Sequence, residues 1–238
     1  MSAGKWLSKV IMNDSFLTSE LVITGRLVDA SNATLFGHLK DDENLKVIYK
    51  PVAGERPLWD FPDGNLANRE VAAYLFSELF KFNIVPRTVL RDGPYGVGMV
   101  QEWQSNSQPE NLIEVGQSEH QDLRRMAIFD ALINNGDRKY GHLLILENGS
   151  IQGCDHGVTF HVEDKLRSVL WQFAGESLTK DEKSVLKQII DFDLNSVLAD
   201  YLSREEIDAI ISRAEKLDKE SVLPMPATDR PAIPWPPV

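Results

Sequence analysis

The sequence predicts an α+β chain, with a small sheet broken by one helix in its first half and a mainly helical second half. Three observations carry this. Glycine and proline cut the first hundred residues into short runs rich in β-branched and apolar residues. From Leu66 the period becomes helical, with Val71, Leu75, Leu79 and Phe82 on one face. Later, Thr179 with Glu182 and Ser203 with Glu206 form two capping boxes that mark helix starts.

In order, Leu21–Val28, Thr34–Leu39 and Leu45–Lys50 read as strands, and acidic Asp41 to Asn44 turns between the last two. Pro51 to Asn65 holds three prolines and two glycines and reads as a loop. The helix from Leu66 ends near Lys81–Asn83. Arg87–Arg91 and Val97–Gln101 form a second strand pair turned by Asp92 to Gly96. Polar Ser105 to Gln117 links the halves, and His120–Asn134 reads as a helix. Six prolines from Pro224 onward predict an extended or partly disordered tail.

At 238 residues the chain suits one large domain or two small lobes, and 42% hydrophobic residues can bury a core. A formal charge of −11 argues against nucleic-acid binding, which favours a basic surface, and against stable adsorption to anionic lipid. Cys154 is the single cysteine, which excludes an internal disulfide and a multi-thiolate metal site. No apolar run reaches the roughly 20 residues that span a bilayer. Met1 to Lys5 lacks a signal-peptide core, and Ser2 stands where myristoylation needs glycine. A cytoplasmic protein is expected.

The most informative stretch runs from Gly136 to Gly157. Asn148-Gly149 between two apolar runs is a strong hairpin signal, because both turn residues need positive φ. With those two as the turn, Glu147 pairs with Ser150, Leu144 with Gly153 and His142 with Asp155. Opposed residues point the same way, so His142 and Asp155 stand side by side, with Asp137 just upstream. A carboxylate beside an imidazole suits a divalent metal, and a second carboxylate suits a general base. An ordinary turn at Asp155 and a solvated Asp137-Arg138 pair are the bland alternatives. Zinc-hydrolase ligand spacings are absent.

These residues resemble the phosphatidylinositol 3-/4-kinase-like branch of the protein-kinase fold, nearest the type II phosphatidylinositol 4-kinases and their bacterial relatives, with a looser similarity to HipA-type kinases. Phe129 to Arg138 resembles the helix and catalytic loop, and Cys154 to Phe160 the DFG-like segment. Val47 to Pro51 resembles the lysine strand, Arg69 to Leu75 the helix with its glutamate, and Ile84 to Leu90 the strand after it. The resemblance implies a compact two-lobed kinase-like fold: an N-lobe over 1–103, a helical C-lobe over 104–223 and the proline-rich tail 224–238. It implies an ATP-dependent phosphotransferase using Mg²⁺ or Mn²⁺, with a protein or small-molecule hydroxyl as acceptor.

The resemblance also implies roles. Lys50 holds the nucleotide phosphates and pairs with Glu70; a snorkelling strand lysine and a rival partner, Glu55, are the alternatives. Asp137 orients or deprotonates the acceptor hydroxyl, and Arg138 acts beside it, more as a brace than a substrate contact. Asp155 binds the metal. Gln101, Glu102 and Trp103 form the adenine hinge, unless Trp103 is plain core. His142 replaces the usual metal-binding Asn, a softer ligand more tolerant of Mn²⁺, or serves only as a hydrogen-bond donor. The nucleotide loop lacks glycine and must cover phosphates with Ser31, Asn32 and Thr34. After Asp155, His161, Lys165 and Arg167 are offset by Glu163 and Asp164, which disfavours an inositol phospholipid acceptor. Two other readings stay open: a pseudokinase that binds nucleotide as a regulatory module, and transfer of AMP.

Overall fold

The computed structural model describes residues 15–27, 32–61, 65–105 and 111–238. A short helix α1 (Ser15–Thr18) leads into β1 (Leu21–Arg26), β2 (Leu35–Leu39) and β3 (Asp42–Pro51). Helix α2 (Leu66–Leu79) follows, then β4 (Thr88–Gly93) and β5 (Gly96–Glu102). The five strands form one antiparallel sheet in the order β1-β2-β3-β5-β4.

Strand alternation decides what this sheet presents to each side. Val47 and Tyr49 of β3 join Phe16, Leu21, Leu39, Val89 and Val100 in an apolar cluster on one face. Successive side chains point to opposite faces, so Ile48 and Lys50 turn the other way, toward the rest of the molecule. Lys50 lies opposite Met99 and Pro51 opposite Gly98. A Cβ on Gly98 would stand 2.5 Å from the Lys50 carbonyl oxygen, so glycine there lets the two strands stay together.

The second half comprises α3 (Leu112–Gly116), α4 (Gln121–Ile133), the hairpin β6 (Leu143–Ile145) and β7 (Ile151–Gly153), α5 (Lys180–Asp191), α6 (Asn195–Leu198) and α7 (Arg204–Glu220). Both predicted capping boxes are formed: Thr179 with Glu182 on α5, and Ser203 with Glu206 on α7. One apolar cluster runs from Val71 and Phe76 of α2 through Phe129 of α4 to Leu186 and Ile210. Helix α2 is therefore anchored to the helical half as well as to the sheet. Arg69 adds a polar tie, donating to the Thr159 carbonyl at 2.7 Å and pairing with Glu206.

The tail after Pro224 has no regular structure, yet it is held. The Ala232 carbonyl accepts from Ser168 N and from Trp171 Nε1, both at 2.9 Å, and the Pro237 carbonyl accepts from Tyr140 N at 2.8 Å. Among the described residues, no helix is long and apolar enough to cross a membrane.

Candidate active site

Two cavities meet between the sheet and the helical half. One, of about 160 Å³, lies under the sheet and is lined by Thr34, Ile48, Gln101, Trp103, His142 and Leu144, among others. The other, of about 510 Å³, is lined by Asn32, Glu55, Asp137, Val158 and Arg167, among others. Lys50 and Asp155 border both. Every described residue expected at the site therefore reaches this region or braces it; Ser31 lies outside the described residues.

At the junction, Lys50 Nζ lies 2.7 Å from Glu70 Oε1 and 2.9 Å from Asp155 Oδ1. Glu70 is fully buried, and its other oxygen accepts from His156 N at 2.9 Å. Burial opposes the Lys50 charge, but the Asp155 and Glu70 carboxylates outweigh it and lift its pKa above the ordinary lysine value. The Lys50 ammonium, opposed by burial, holds Asp155 well below the usual carboxylate range. Burial pushes the Glu70 carboxyl up, against the pull of Lys50. The rival partner is excluded by geometry. Glu55 accepts from Leu66 N and Ala67 N at 2.9 and 2.8 Å, so it caps α2, with Asn65 as N-cap beside it.

The hairpin differs from its expected register by one residue. Leu143 pairs with Gly153 and Ile145 with Ile151, while Leu146 N donates to the Ser150 carbonyl. The loop therefore has three residues, Glu147 to Gly149, and only Gly149 takes positive φ, at +84°. This is the longer hairpin loop with a left-handed third residue. His142 now faces Cys154, whose N–H donates to the His142 carbonyl at 3.0 Å. A one-residue slip should send Asp155 to the far side. It does not, because Asp155 adopts φ +59°, a left-handed backbone that Asp tolerates, past the end of the ladder. His142 Nε2 ends 3.6 Å from Asp155 Oδ2. Burial lowers the His142 pKa, against the pull of Asp155, so the ring is neutral at pH 7, and its buried Nδ1 has no partner among the described residues.

Asp137 sits on the loop leaving α4. Asn134 ends the helix in a left-handed conformation, and its side chain ties the His161 and Glu163 carbonyls to the Lys165 N–H. Asn135 Oδ1 accepts from Asp137 N at 2.9 Å, and Arg167 Nε donates to the Gly136 carbonyl at 2.7 Å. Lys139 Nζ lies 3.3 Å from Asp137 Oδ2.

Arg138 points away from both cavities. It is 0% exposed, and it grips Asp130 through two bonds of 2.8 and 2.9 Å. It also donates to the Cys154 carbonyl at 3.1 Å and to His156 Nε2 at 2.7 Å. An arginine can only donate, so the His156 proton sits on Nδ1. Burial, then the Arg138 charge, push His156 well below its ordinary pKa. Arg138 thus fastens the Asp137 loop, α4 and the Asp155 segment together. It acts by positioning.

The residues expected at an adenine hinge divide. The buried Gln101 side chain donates to Thr88 Oγ1 at 2.9 Å, a structural bond. Glu102 N and Trp103 N donate to the Arg87 and Lys46 carbonyls, so these two hinge donors are already engaged. The Trp103 ring stands edge-on to Phe36 at 5.1 Å and remains 37% exposed, so it is a wall rather than core. In the glycine-free loop, Thr34 reaches the smaller cavity, while Asn32 Oδ1 accepts from Arg56 N at the larger one. Sequence reasoning missed Asp130, His156 and Arg69 as structural partners; the apolar neighbours of Asp130 on α4 and Arg69 on α2 hinted that these two must be paired, and nothing in the sequence hinted at His156.

The chain matches no family profile. It is 41% identical to Protein Rv2133c of Mycobacterium tuberculosis, over 91% of this chain and 92% of that protein. The chain belongs to the Rv2133c family. Among solved structures, it resembles the Golgi casein kinase with Mn and ADP bound, at 14% identity and TM-score 0.58, over 92% of this chain and 76% of the other. The Helicobacter pylori proinflammatory kinase CtkA gives 12% identity and TM-score 0.51, over 87% of this chain and 94% of that one. A hydra Fam20 structure with sugar gives 15% and 0.60, over 87% and 86%. This member of the Rv2133c family therefore has a two-lobed, kinase-like fold.

Proposed function

We propose that the chain is an ATP- and divalent-metal-dependent phosphotransferase of the phosphatidylinositol 3-/4-kinase-like type, passing the γ-phosphate to a soluble hydroxyl acceptor. One observation carries this most directly: Lys50, Glu70 and Asp155 meet at the junction of an adenine-sized recess and a larger cavity containing Asp137. The likeness to the Golgi casein kinase with Mn and ADP bound and to the kinase CtkA supports it.

The two recesses divide the nucleotide. The smaller takes adenine between Ile48 above and Leu144 below, with Trp103 at its wall. Because the Glu102 and Trp103 N–H groups are engaged, hinge recognition moves to the backbone at Gln104, which also lines the smaller cavity. Lys50, kept charged by its carboxylate partners, holds phosphate oxygens. Phosphoryl transfer needs positioning and charge neutralisation more than covalent participation.

The donor set suits a divalent metal. Asp155 offers a half-exposed carboxylate and His142 a neutral imidazole. Among the described residues, no three His, Cys, Asp or Glu gather around one point, so Asp155 and His142 are the two side chains that would hold the metal. Mg²⁺ or Mn²⁺ there supplies charge neutralisation, and the imidazole favours Mn²⁺. Asp137, at the mouth of the larger cavity, orients the acceptor hydroxyl and takes its proton. Arg138 and Asn135 hold in place the loop that carries it.

The test is ATP labelled at the γ or the α phosphate, with Mg²⁺ or Mn²⁺, followed by the fate of each label. The reading expects γ-label transfer or metal-dependent γ-phosphate hydrolysis, lost in Asp137→Asn. Transfer of α-label instead would assign AMP transfer. Nucleotide binding without loss of either label would assign the pseudokinase reading.

A further inference from the structure

The chain carries a charge of −11, yet the acceptor end of its larger cavity is cationic. Arg56, Lys165, Arg167 and Arg230 all line it, from three separate segments of the chain. The acids that offset Lys165 and Arg167 in the sequence stay outside it, although Glu163 lies 3.3 Å from Lys165. Glu163 and Asp164 do not line the cavity, and their side chains are 73% and 71% exposed. Of the five acids that do line it, Glu55 caps α2, Glu70 and Asp155 are bound by Lys50, Asp137 pairs with Lys139, and Asp60 alone has no ion pair or cap bond among the described residues.

The cations keep unused capacity. The Arg56 side chain has no ion pair or hydrogen bond among the described residues, and only the Nε of Arg167 is engaged. Lys165 has one partner, the exposed Glu163 at 3.3 Å, and lies 5.7 Å from the centre of the Trp59 ring, which is 89% exposed beside the cavity. Arg230 comes from the tail, held at the rim by Asp164 at 2.8 Å. Guanidinium forks match the planar, multi-oxygen edge of phosphate and carboxylate.

We propose that this end of the cleft binds a small alcohol bearing its own anionic group, a phosphate or a carboxylate, near the hydroxyl that accepts the γ-phosphate. Arg56, Lys165 and the free nitrogens of Arg167 hold the anion, Trp59 flanks the carbon skeleton, and Asp137 faces the hydroxyl. The tail completes the site through Arg230 rather than trailing from it. The inference rests on the phosphotransfer reading for its hydroxyl, but its anion site can be measured separately.

The experiment uses the full chain saturated with a non-hydrolysable ATP analogue and Mn²⁺, so the nucleotide subsite is closed to competing anions. Calorimetric titration compares glycerol 3-phosphate, glycerate and neutral glycerol; the first two arms separate phosphate from carboxylate recognition. The expected result is measurable binding of one or both anions and none of glycerol. In the R56Q/K165Q double variant, anion affinity falls at least tenfold while analogue affinity stays within twofold. A K180Q/K187Q control on α5 has the same net charge and leaves both unchanged. Equal binding of glycerol and the anions, no anion binding, or an equal loss in the control overturns the proposal. Anion binding with no analogue binding would instead refute the nucleotide reading and leave the anion site standing.

Discussion

Asp130→Ala is the substitution whose cost follows most directly from the structure. It deletes the carboxylate that grips Arg138 through two bonds, leaving a guanidinium that is 0% exposed without its counter-charge. Removing one partner of a buried ion pair costs about 3–5 kcal/mol. Arg138 keeps the Cys154 carbonyl and His156 Nε2 as acceptors, which places the loss near the low end, about 3 kcal/mol. At ~1.4 kcal/mol per decade, that is roughly a hundredfold in the folding constant. Urea unfolding at pH 7, with unchanged denaturant slope, reads it directly. The double variant D130A/R138M removes the stranded charge and should recover at least ~1 kcal/mol of the loss. A single-variant cost under ~1 kcal/mol, or a double variant no more stable than the single, would refute the reasoning.

Three further outcomes are expected. The Glu182 carboxyl, raised by burial but lowered more by Arg124 and its cap bonds, has a folded pKa below its ordinary value. Its stabilisation is therefore present above about pH 4.3 and fades as pH falls through the folded value. The stability gap between wild type and Arg124→Gln should be wide at pH 6 and narrow at pH 3.5; an equal gap at both counts against it. Ser203→Ala removes the cap of α7 and should cost about 1 kcal/mol in urea unfolding. Trp171→Phe loses the donor to the Ala232 carbonyl and should cost roughly 1 kcal/mol while speeding proteolysis of the tail; unchanged proteolysis would mean the tail is not held there.

The elements legible in the sequence were those set by local chemistry. The capping boxes, the helical period from Leu66 and the strand carrying Lys50 depend on neighbours three or four residues away. The hairpin shows where local reading stops. Asn148-Gly149 signalled a turn, but the number of loop residues depends on which one takes the left-handed backbone. The choice of Gly149 alone shifted every pair by one. His142 and Asp155 were brought together for a reason other than the expected one, the positive φ of Asp155. The assignment of Glu55 to the α2 cap and the outward turn of Glu163 and Asp164 are tertiary outcomes. No spacing rule encodes them. The tail was extended, as its prolines required, but the Ala232 and Pro237 carbonyls found donors on the helical half.

The central claim is that Asp155 and Lys50 form the phosphate end of a nucleotide site. Its most direct test is the affinity for an ATP analogue with Mn²⁺, measured in the wild type, Asp155→Ala and Asp137→Asn. The account predicts metal-dependent binding in the wild type and in Asp137→Asn, and its loss in Asp155→Ala. Metal-dependent binding of normal affinity in Asp155→Ala would contradict it.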